Sequence, residues 1–375
     1  MLHKIDKNLL NVNILSFQPQ SVIVYVQNFI TAKIILQRKF KILGEYPFIS
    51  ALALSANHQE IFSLASNGNI LYIASVTCAK TLSYTSKKFI NIHNLHDSGI
   101  TGKNIRIAII DTGCYPHIDL VLGQNRIIKF IDLINAKTYP YDDNGHGTFV
   151  TGVLAGNGLH SSAKFSGVAK NSELIIIKAL NSEGQTQAFK VLEAMQWIYD
   201  NHKKYNIKVV CMSFGSAPLA KNDPLSLGAN SLWDSGIVVV SAAGNDGPKP
   251  STIKSPGSSS KIITVGAVDT IKSTIQMAKF SSRGPIFNTI KPDLVAPGVE
   301  ITSLANNKSF YTKMSGTSVS APFVAGVVAL ILQTNPNLTP NQIKAILLNS
   351  STPLPFSVND CGAGLLNAKN AINLI

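Results

Sequence analysis

A serine near the C-terminal end of the chain stands in a setting that suits nucleophilic chemistry. Ser318 lies in the segment Met314-Ser-Gly-Thr-Ser-Val-Ser-Ala-Pro322, which runs directly into an apolar stretch from Phe323 to Leu332. The small residues predict a loop that delivers Ser318 to the start of a buried helix. The first N–H groups of a helix lack partners within the helix and carry partial positive charge. A serine hydroxyl placed there lies beside donors for a developing oxyanion.

Two further segments supply the groups that a serine nucleophile needs. Asp111 ends the apolar run that begins at Ile107 and is followed by Thr-Gly113, and His146 lies in Asp143-Asn-Gly-His-Gly-Thr148. Serine is a weak nucleophile at neutral pH and needs a base to take its proton. His146 can act as that base if its ring is held in one tautomer, which is the role we expect for Asp111.

In the chain order Asp111, His146, Ser318, these motifs resemble those of the subtilases, the subtilisin-like serine proteases. The resemblance covers roughly residues 100 to 375. It implies an α/β fold with a mostly parallel sheet and helices on both faces, and a serine endopeptidase that acts through an acyl-enzyme intermediate. Further segments match motifs of the family: Val209-Val-Cys-Met-Ser-Phe-Gly215, Ser241-Ala-Ala-Gly-Asn245, Phe280-Ser-Ser-Arg-Gly-Pro285 and Lys291-Pro-Asp-Leu-Val-Ala-Pro-Gly298.

The resemblance also implies roles for residues around the triad. Asn245 is the expected side-chain donor to the oxyanion, although asparagine also suits the turn Gly244-Asn-Asp-Gly247. The backbone N–H of Ser318 would be the second donor. The substrate is expected to bind as an added strand. The positions that match the family's substrate-binding segments are Ser213, Phe214, Gly215, Ala242, Ala243, Gly244 and Lys254.

Lys254 departs from the family pattern, which commonly has a glycine at this position. We expect its side chain to reach into or rim the pocket for the residue before the cleaved bond, and to favour small or acidic residues over large apolar ones. Asp246 is placed to pair with Lys254 and neutralise the effect of its charge. One observation argues against an acidic preference. Between Glu60 and Asp97 the chain has no acidic residue after which self-cleavage could occur.

Asp119 matches a position that binds calcium in many subtilases. The loop expected to supply the remaining ligands, near residues 156 to 165, looks different here, and calcium needs six or more oxygen ligands. No cofactor is expected to be required, and calcium binding is left open.

Other protein classes fit the chain less well. Asp111-Thr-Gly113 is also the signature of aspartic proteases, whose paired carboxylates share a proton. The second copy would have to be Asp97-Ser-Gly99 or Asp234-Ser-Gly236, and neither follows an apolar strand. An α/β-hydrolase esterase would need a G-x-S-x-G motif, which the chain lacks. The alternative from another class is a catalytically silent subtilase-like binding or scaffold protein, against which the intact triad argues.

The composition bounds the partners and the compartment. The net charge of +13 is spread over the chain without a long basic run, so a solvated basic surface is favoured over nucleic-acid binding. No apolar run reaches the roughly 18 residues that span a bilayer. No signal peptide is recognisable, which favours a cytoplasmic protein or export by another route. The 4 cysteines lack zinc or redox spacing, and Cys211 is expected to be a small buried hydrophobe.

The chain divides into three parts. Residues 1–76 alternate strand and helix patterns in the order βαββαβ, which predicts a small α+β ferredoxin-like domain. This domain resembles the inhibitory and chaperoning propeptide of subtilases, with a permanent accessory domain as the alternative. Residues 77–103 would be a linker that holds the processing site. Residues 104–375 would be the catalytic domain, in which continuous apolar strands alternate with helices.

Overall fold

The computed structural model describes residues 2–10, 18–47, 50–75, 90–218, 223–270, 274–307 and 310–375. The chain divides into two compact units, Met1–Thr81 and Leu82–Ile375.

The first unit contains a four-stranded antiparallel sheet in the order β2-β3-β1-β4. Its strands are β1 (Gln20–Val26), β2 (Lys41–Tyr46), β3 (Ala51–Ala56) and β4 (Ile70–Ser75), and its helices are α1 (Lys7–Leu10), α2 (Phe29–Leu36) and α3 (His58–Ala65). Asn57 caps α3, in a capping box with Glu60. Alternate residues of β1, including Val22 and Val24, are buried in the core of this unit. The role of this unit as a prodomain stays a prediction.

The second unit is built on an eight-stranded sheet in the order β11-β10-β9-β8-β5-β7-β6, with β12 paired to β10. All pairs are parallel except β10 with β11. A separate hairpin joins β13 to β14. The strands are β5 (Arg106–Asp111), β6 (Ile127–Asp132), β7 (Glu173–Lys178), β8 (Ile207–Met212), β9 (Val238–Ala242), β10 (Ile263–Asp269), β11 (Gln276–Met277), β12 (Leu294–Pro297), β13 (Ile301–Leu304) and β14 (Tyr311–Met314).

Helices cover this sheet in two groups. Helix α6 (His146–Ala155) packs against α9 (Thr317–Thr334), and α9 also packs on β8, β9, β10 and β12. Helices α7 (Ala188–Tyr205) and α8 (Pro224–Asp234) form a second pair that contacts β5, β8 and β9. The predicted α/β architecture with a mostly parallel sheet is therefore confirmed for this unit. Its helices are α4 (His93–Asp97), α5 (Ile118–Val121), α6 (His146–Ala155), α7 (Ala188–Tyr205), α8 (Pro224–Asp234), α9 (Thr317–Thr334), α10 (Pro340–Ser350), α11 (Val358–Cys361) and α12 (Ala368–Asn373).

The burial of these elements explains their sequence patterns. The central strand β5 is buried on both faces, and its apolar residues Ile107, Ile109 and Ile110 are fully buried. A strand buried in this way is apolar along its whole length, because side chains on both faces avoid water. Helix α7 is amphipathic and buries Val191, Ala194, Met195 and Ile198, which recur at helical spacing on one face. Helix α9 is long and apolar enough to cross a membrane, but its side chains are buried inside the unit. It is therefore the core helix that the sequence predicts.

The structure moves one predicted boundary. We expected residues 77–103 to form a linker, but within this range Ile90 and Ile92 are fully buried in the core of the second unit. The N–H of Ala368 donates to the carbonyl of Ile90, which ties this segment to α12. The sequence did not predict this packing, because the two isoleucines lie in short apolar stretches among Asn, His and Ser residues. The remaining part of the expected linker, residues 77–89, lies outside the described residues.

Candidate active site

Three predicted site residues lie at the carboxyl ends of neighbouring strands. Asp111 ends β5, Ser213 follows β8, and Ala242 ends β9. These strands are adjacent and parallel, in the order β9-β8-β5. Their carboxyl ends therefore meet at one edge of the sheet, where open α/β folds bind their ligands.

Asp111 and His146 are in direct contact. Asp111 Oδ1 accepts a hydrogen bond from His146 Nδ1 at 2.7 Å and from the N–H of Thr112 at 2.7 Å. The carboxylate is fully buried, whereas the imidazole keeps 26% of its surface exposed. Burial lowers the pKa of His146, but the charge and hydrogen bond of Asp111 and the charge of Asp142 outweigh burial and leave that pKa above its ordinary value. Nδ1 is held as a donor, so Nε2 of a neutral ring is left as the base.

Asp142, which the sequence analysis missed, holds the loop that presents His146. Its Oδ1 accepts from the Thr112 hydroxyl at 2.9 Å and from the N–H of Gly145 at 2.8 Å. Its Oδ2 accepts from the N–H and the hydroxyl of Thr148 at 2.8 and 2.6 Å. A buried carboxylate with this many donors fixes the end of β5 against the first turn of α6. An aspartate four residues before the histidine, in a loop rich in small residues, was the available signal.

Gly147 allows the closest approach between these two elements. A Cβ atom on Gly147 would stand 2.1 Å from the carbonyl oxygen of Gly113. The N–H of Gly147 donates to the Thr112 hydroxyl at 2.8 Å. The glycine after His146 therefore lets α6 begin directly against the loop that follows Asp111, as its position in the motif predicts.

Ser318 and Asn245 face the same small space in front of Gly316. A Cβ atom on Gly316 would lie 3.0 Å from Ser318 Oγ and 3.4 Å from Asn245 Nδ2. Ser318 is the second residue of α9, so its own N–H is among those without a partner in the helix. A carbonyl oxygen held in this space would meet a side-chain amide donor and a helix N-terminus, both suited to a negative charge.

Thr317 orients the Asn245 amide, and the sequence analysis missed this role too. Asn245 Oδ1 accepts from the N–H of Thr317 at 2.9 Å and from its hydroxyl at 3.0 Å. The Thr317 hydroxyl also accepts from the N–H of Gly244 at 3.0 Å. Since two donors occupy the amide oxygen, the amide nitrogen must be the group that faces Gly316 and Ser318.

His146 contacts Asp111 at the end of β5, and Ser318 shares a space with Asn245, which follows β9, so both residues lie at the same edge of the sheet. Among the described residues, Ser318 makes no direct hydrogen bond with His146. In serine hydrolases such a bond is often long without substrate and tightens when substrate binds.

Three of the positions predicted to bind substrate, Gly215, Gly244 and Lys254, lie together next to Asn245, and we call the region around them the groove. Ala242 and Ala243 are buried, and the Lys254 N–H donates to the Ala243 carbonyl at 2.8 Å. Phe214 and Gly215 line one end of a cavity of about 390 Å³, whose other walls include Leu180, Val191 and Leu225. This cavity is mostly apolar and is large enough for a side chain.

Each oxygen of the Asp119 carboxylate accepts a hydrogen bond from a protein donor. Its Oδ1 accepts from the N–H of His160 at 2.8 Å, and its Oδ2 accepts from the Tyr311 hydroxyl at 2.7 Å. The buried Arg126 guanidinium donates to the backbone carbonyls of Asp119 at 2.5 Å and of Ala155 at 2.6 Å. No group of three or more metal-ligating His, Cys, Asp or Glu side chains occurs in the described part of the chain.

The cysteines do not join the site. Cys114, three residues after Asp111, is buried, and burial is the largest cause that raises the pKa of its thiol. Cys211 is buried within β8 as expected, and burial raises the pKa of its thiol to about 12. Both are protonated at neutral pH. Cys78 lies outside the described residues.

Comparisons with known proteins show the family of the chain. The model of the subtilase family matches residues 102–364. The serine protease AprX of Bacillus subtilis (strain 168) is 41% identical over 299 residues, which are 73% of this chain and 67% of the relative. Subtilisin DY of Bacillus licheniformis is 34% identical over 296 residues, which are 78% of this chain and 99% of the relative. A crystal structure of a cold adapted subtilisin-like serine proteinase has a TM-score of 0.60 and 28% identity, and covers 72% of this chain and 90% of that one. The chain therefore belongs to the subtilase family and is a subtilisin-like serine protease.

Proposed function

We propose that the chain is an endopeptidase that cleaves polypeptides through Ser318, His146 and Asp111. The observation that supports this proposal best is the 2.7 Å contact between Asp111 Oδ1 and His146 Nδ1. It sets the tautomer that a base needs, at the edge of the sheet where Ser318 and Asn245 face a common space.

In the proposed reaction, Ser318 Oγ attacks the carbonyl carbon of the scissile peptide bond while His146 Nε2 takes the hydroxyl proton. The carbonyl oxygen becomes an oxyanion held by Asn245 Nδ2 and the Ser318 N–H. The C–N bond then breaks as the imidazolium returns its proton to the leaving amine, which leaves an acyl-enzyme. Water repeats the sequence in place of the amine and releases the acid.

Reaction with a fluorophosphonate probe tests this proposal, because the probe phosphonylates a serine activated by a neighbouring base. We expect the purified chain to be labelled at Ser318, as located by peptide mass spectrometry. Labelling should be lost when His146 is replaced by alanine. A folded chain that stays unlabelled would favour the alternative of a silent binding or scaffold protein.

We propose further that the N-terminal unit is a prodomain that assists folding, inhibits the protease and is then removed. Its support is the βαββαβ order of its elements and its separation as a compact unit, Met1–Thr81. Its own polypeptide would then be the first substrate of Ser318.

We propose that Asp119 serves as a hydrogen-bond acceptor in place of a calcium ligand. Both carboxylate oxygens already accept from His160 and Tyr311, and the Arg126 guanidinium supplies the positive charge near the Asp119 carbonyl. A cation would have to displace donors that are already paired and partly shielded from solvent, which costs up to about 1–3 kcal/mol for each group left unsatisfied.

Thermal unfolding in EDTA and in millimolar CaCl₂ tests this assignment. We expect Asp119→Asn to lower the melting temperature by the same amount in both buffers, because the lost interactions are hydrogen bonds and not metal ligation. A ligand that binds only the folded state raises stability with its concentration. A calcium-induced rise in the wild type that disappears in Asp119→Asn would contradict the assignment.

A further inference from the structure

The space beside the proposed oxyanion site is partly filled by the chain's own lysine. Lys254 Cγ lies 2.5 Å from the point where a Cβ of Gly244 would stand, and Lys254 Cβ lies 2.6 Å from the corresponding point of Gly215. The aliphatic part of the side chain therefore runs between two glycine backbones. Gly244 directly precedes Asn245, so this stem lies next to the donor expected to hold the carbonyl oxygen.

Backbone hydrogen bonds hold the main chain of Lys254 in place beside Gly244 and Gly215. The Lys254 N–H donates to the Ala243 carbonyl at 2.8 Å. The next residue, Ser255, exchanges both backbone hydrogen bonds with Ser216, each at 2.9 Å. These bonds join the segment to the ends of β9 and β8, so the start of the Lys254 side chain is fixed relative to both walls of the groove.

An ion pair fixes the other end of the side chain. Lys254 Nζ contacts Asp246 Oδ2, and the two side chains are 24% and 56% exposed. The ammonium group is therefore held toward solvent beside a carboxylate, and its positive charge is largely compensated. What remains to line the groove is the uncharged stem.

We propose that Lys254 is a specificity-determining residue that limits the primary pocket to small, uncharged side chains. The residue before the cleaved bond must place its carbonyl beside Ser318 Oγ and Asn245 Nδ2, and in the proposed binding mode its side chain enters the region between Gly244 and Gly215, where the stem already lies. Asp246 removes the attraction that a free ammonium would offer to an acidic side chain. This inference rests on the proposed function and narrows the sequence-based expectation of small or acidic residues to small ones.

Fluorogenic peptide amides with Ala, Phe or Glu before the reporter group measure this preference, because only cleavage at that residue releases the fluorophore. We expect the wild type to have a kcat/KM for Ala at least about 10-fold above that for Phe. Lys254→Gly opens the pocket and should raise the Phe-to-Ala ratio by about 10-fold or more, the range that a few methylene groups provide in an apolar pocket. Lys254→Ala makes the same test if the glycine variant does not fold.

Asp246→Asn tests the part of the proposal that concerns charge. Loss of the carboxylate frees the ammonium, so the Glu-to-Ala ratio should rise about threefold or more while the Phe-to-Ala ratio stays unchanged. A matched control is Asp234→Asn, which also removes the carboxylate of a Lys–Asp pair, that with Lys261. Asp234 ends α8 and Lys261 precedes β10, so this pair lies at the opposite edge of the sheet, and neither ratio should change.

Two results would overturn the proposal in distinguishable ways. If fluorophosphonate labels Ser318 and Lys254→Gly and Lys254→Ala keep the wild-type Phe-to-Ala ratio, the pocket proposal is wrong and the protease proposal stands. If the folded wild type is not labelled at all, the proposed function itself fails, and the pocket proposal fails with it.

Discussion

Replacing Ser318 with alanine will lower kcat/KM for peptide hydrolysis by a factor on the order of 10⁶, the size of loss that removal of the nucleophile causes in subtilisin. The alanine variant keeps the buried helix α9 and the oxyanion donors but has no group that can form the acyl-enzyme. The measurement is hydrolysis of a fluorogenic peptide by variant and wild type, at equal concentrations of folded protein shown by circular dichroism.

The matched control is Ser315→Ala in the same loop. Ser315 is exposed, and its hydroxyl accepts only an exposed hydrogen bond from the N–H of Glu300 at 2.9 Å. Its loss should change kcat/KM by less than about threefold. Wild-type rates in Ser318→Ala would contradict the proposed mechanism outright.

The Ser318→Ala variant also tests whether the N-terminal unit is removed from the precursor. Mass spectrometry of the intact protein should find the Ser318→Ala chain at its full length and the wild type shortened by the first unit, cut within residues 77–103. The first residue of the shortened chain would identify the processing site. A wild type that keeps all 375 residues while it hydrolyses peptides would favour the permanent accessory domain over the prodomain.

Replacing Asp111 with asparagine should lower kcat/KM by a factor on the order of 10⁴. Asp111 Oδ1 accepts two hydrogen bonds, from His146 Nδ1 and from the N–H of Thr112. If the amide nitrogen took this place, it would face the Thr112 donor and would bind the wrong tautomer of His146. If the amide oxygen took it, the negative charge that stabilises the imidazolium would still be lost.

The pH profile separates this role of Asp111 from a merely structural one. Neutral His146 is the active form, so kcat/KM falls as the pH drops through the pKa of His146. Asp111 is a cause of the raised pKa of that ring, so in Asp111→Asn the acid limb of the profile should move to lower pH. Asp200→Asn, an exposed change on α7, should leave the limb in place. An unmoved limb in Asp111→Asn would contradict the electrostatic role.

The sequence predicted the strands and helices whose patterns depend on residues that are close together in the chain. Strand β5 is the continuous apolar run that ends at Asp111, as the sequence indicates, because a strand buried on both faces leaves this pattern. The buried helix α9 and the βαββαβ order of the first unit were predicted for the same reason, since hydrophobic periodicity is also a local pattern.

The sequence did not predict the residues that act through distant partners. Asp142 gains its role from Thr112, 30 positions away, and Thr317 gains its role from Asn245, 72 positions away. Neither pairing leaves a periodic signal. The hairpin of β13 and β14 was missed because its strands are only four residues each. Tyr311, the first residue of β14, donates to Asp119, which lies 192 positions earlier in the chain.

Arg126 has a consequence for where such a protein can work. A bound metal leaves when the surrounding solution is depleted of it, whereas a guanidinium built into the polypeptide stays at a fixed stoichiometry of one. If Arg126 and its neighbours replace calcium as proposed, the integrity of this region is independent of the ion supply of its surroundings. The fold would then hold equally well in a calcium-poor compartment and in a calcium-rich one.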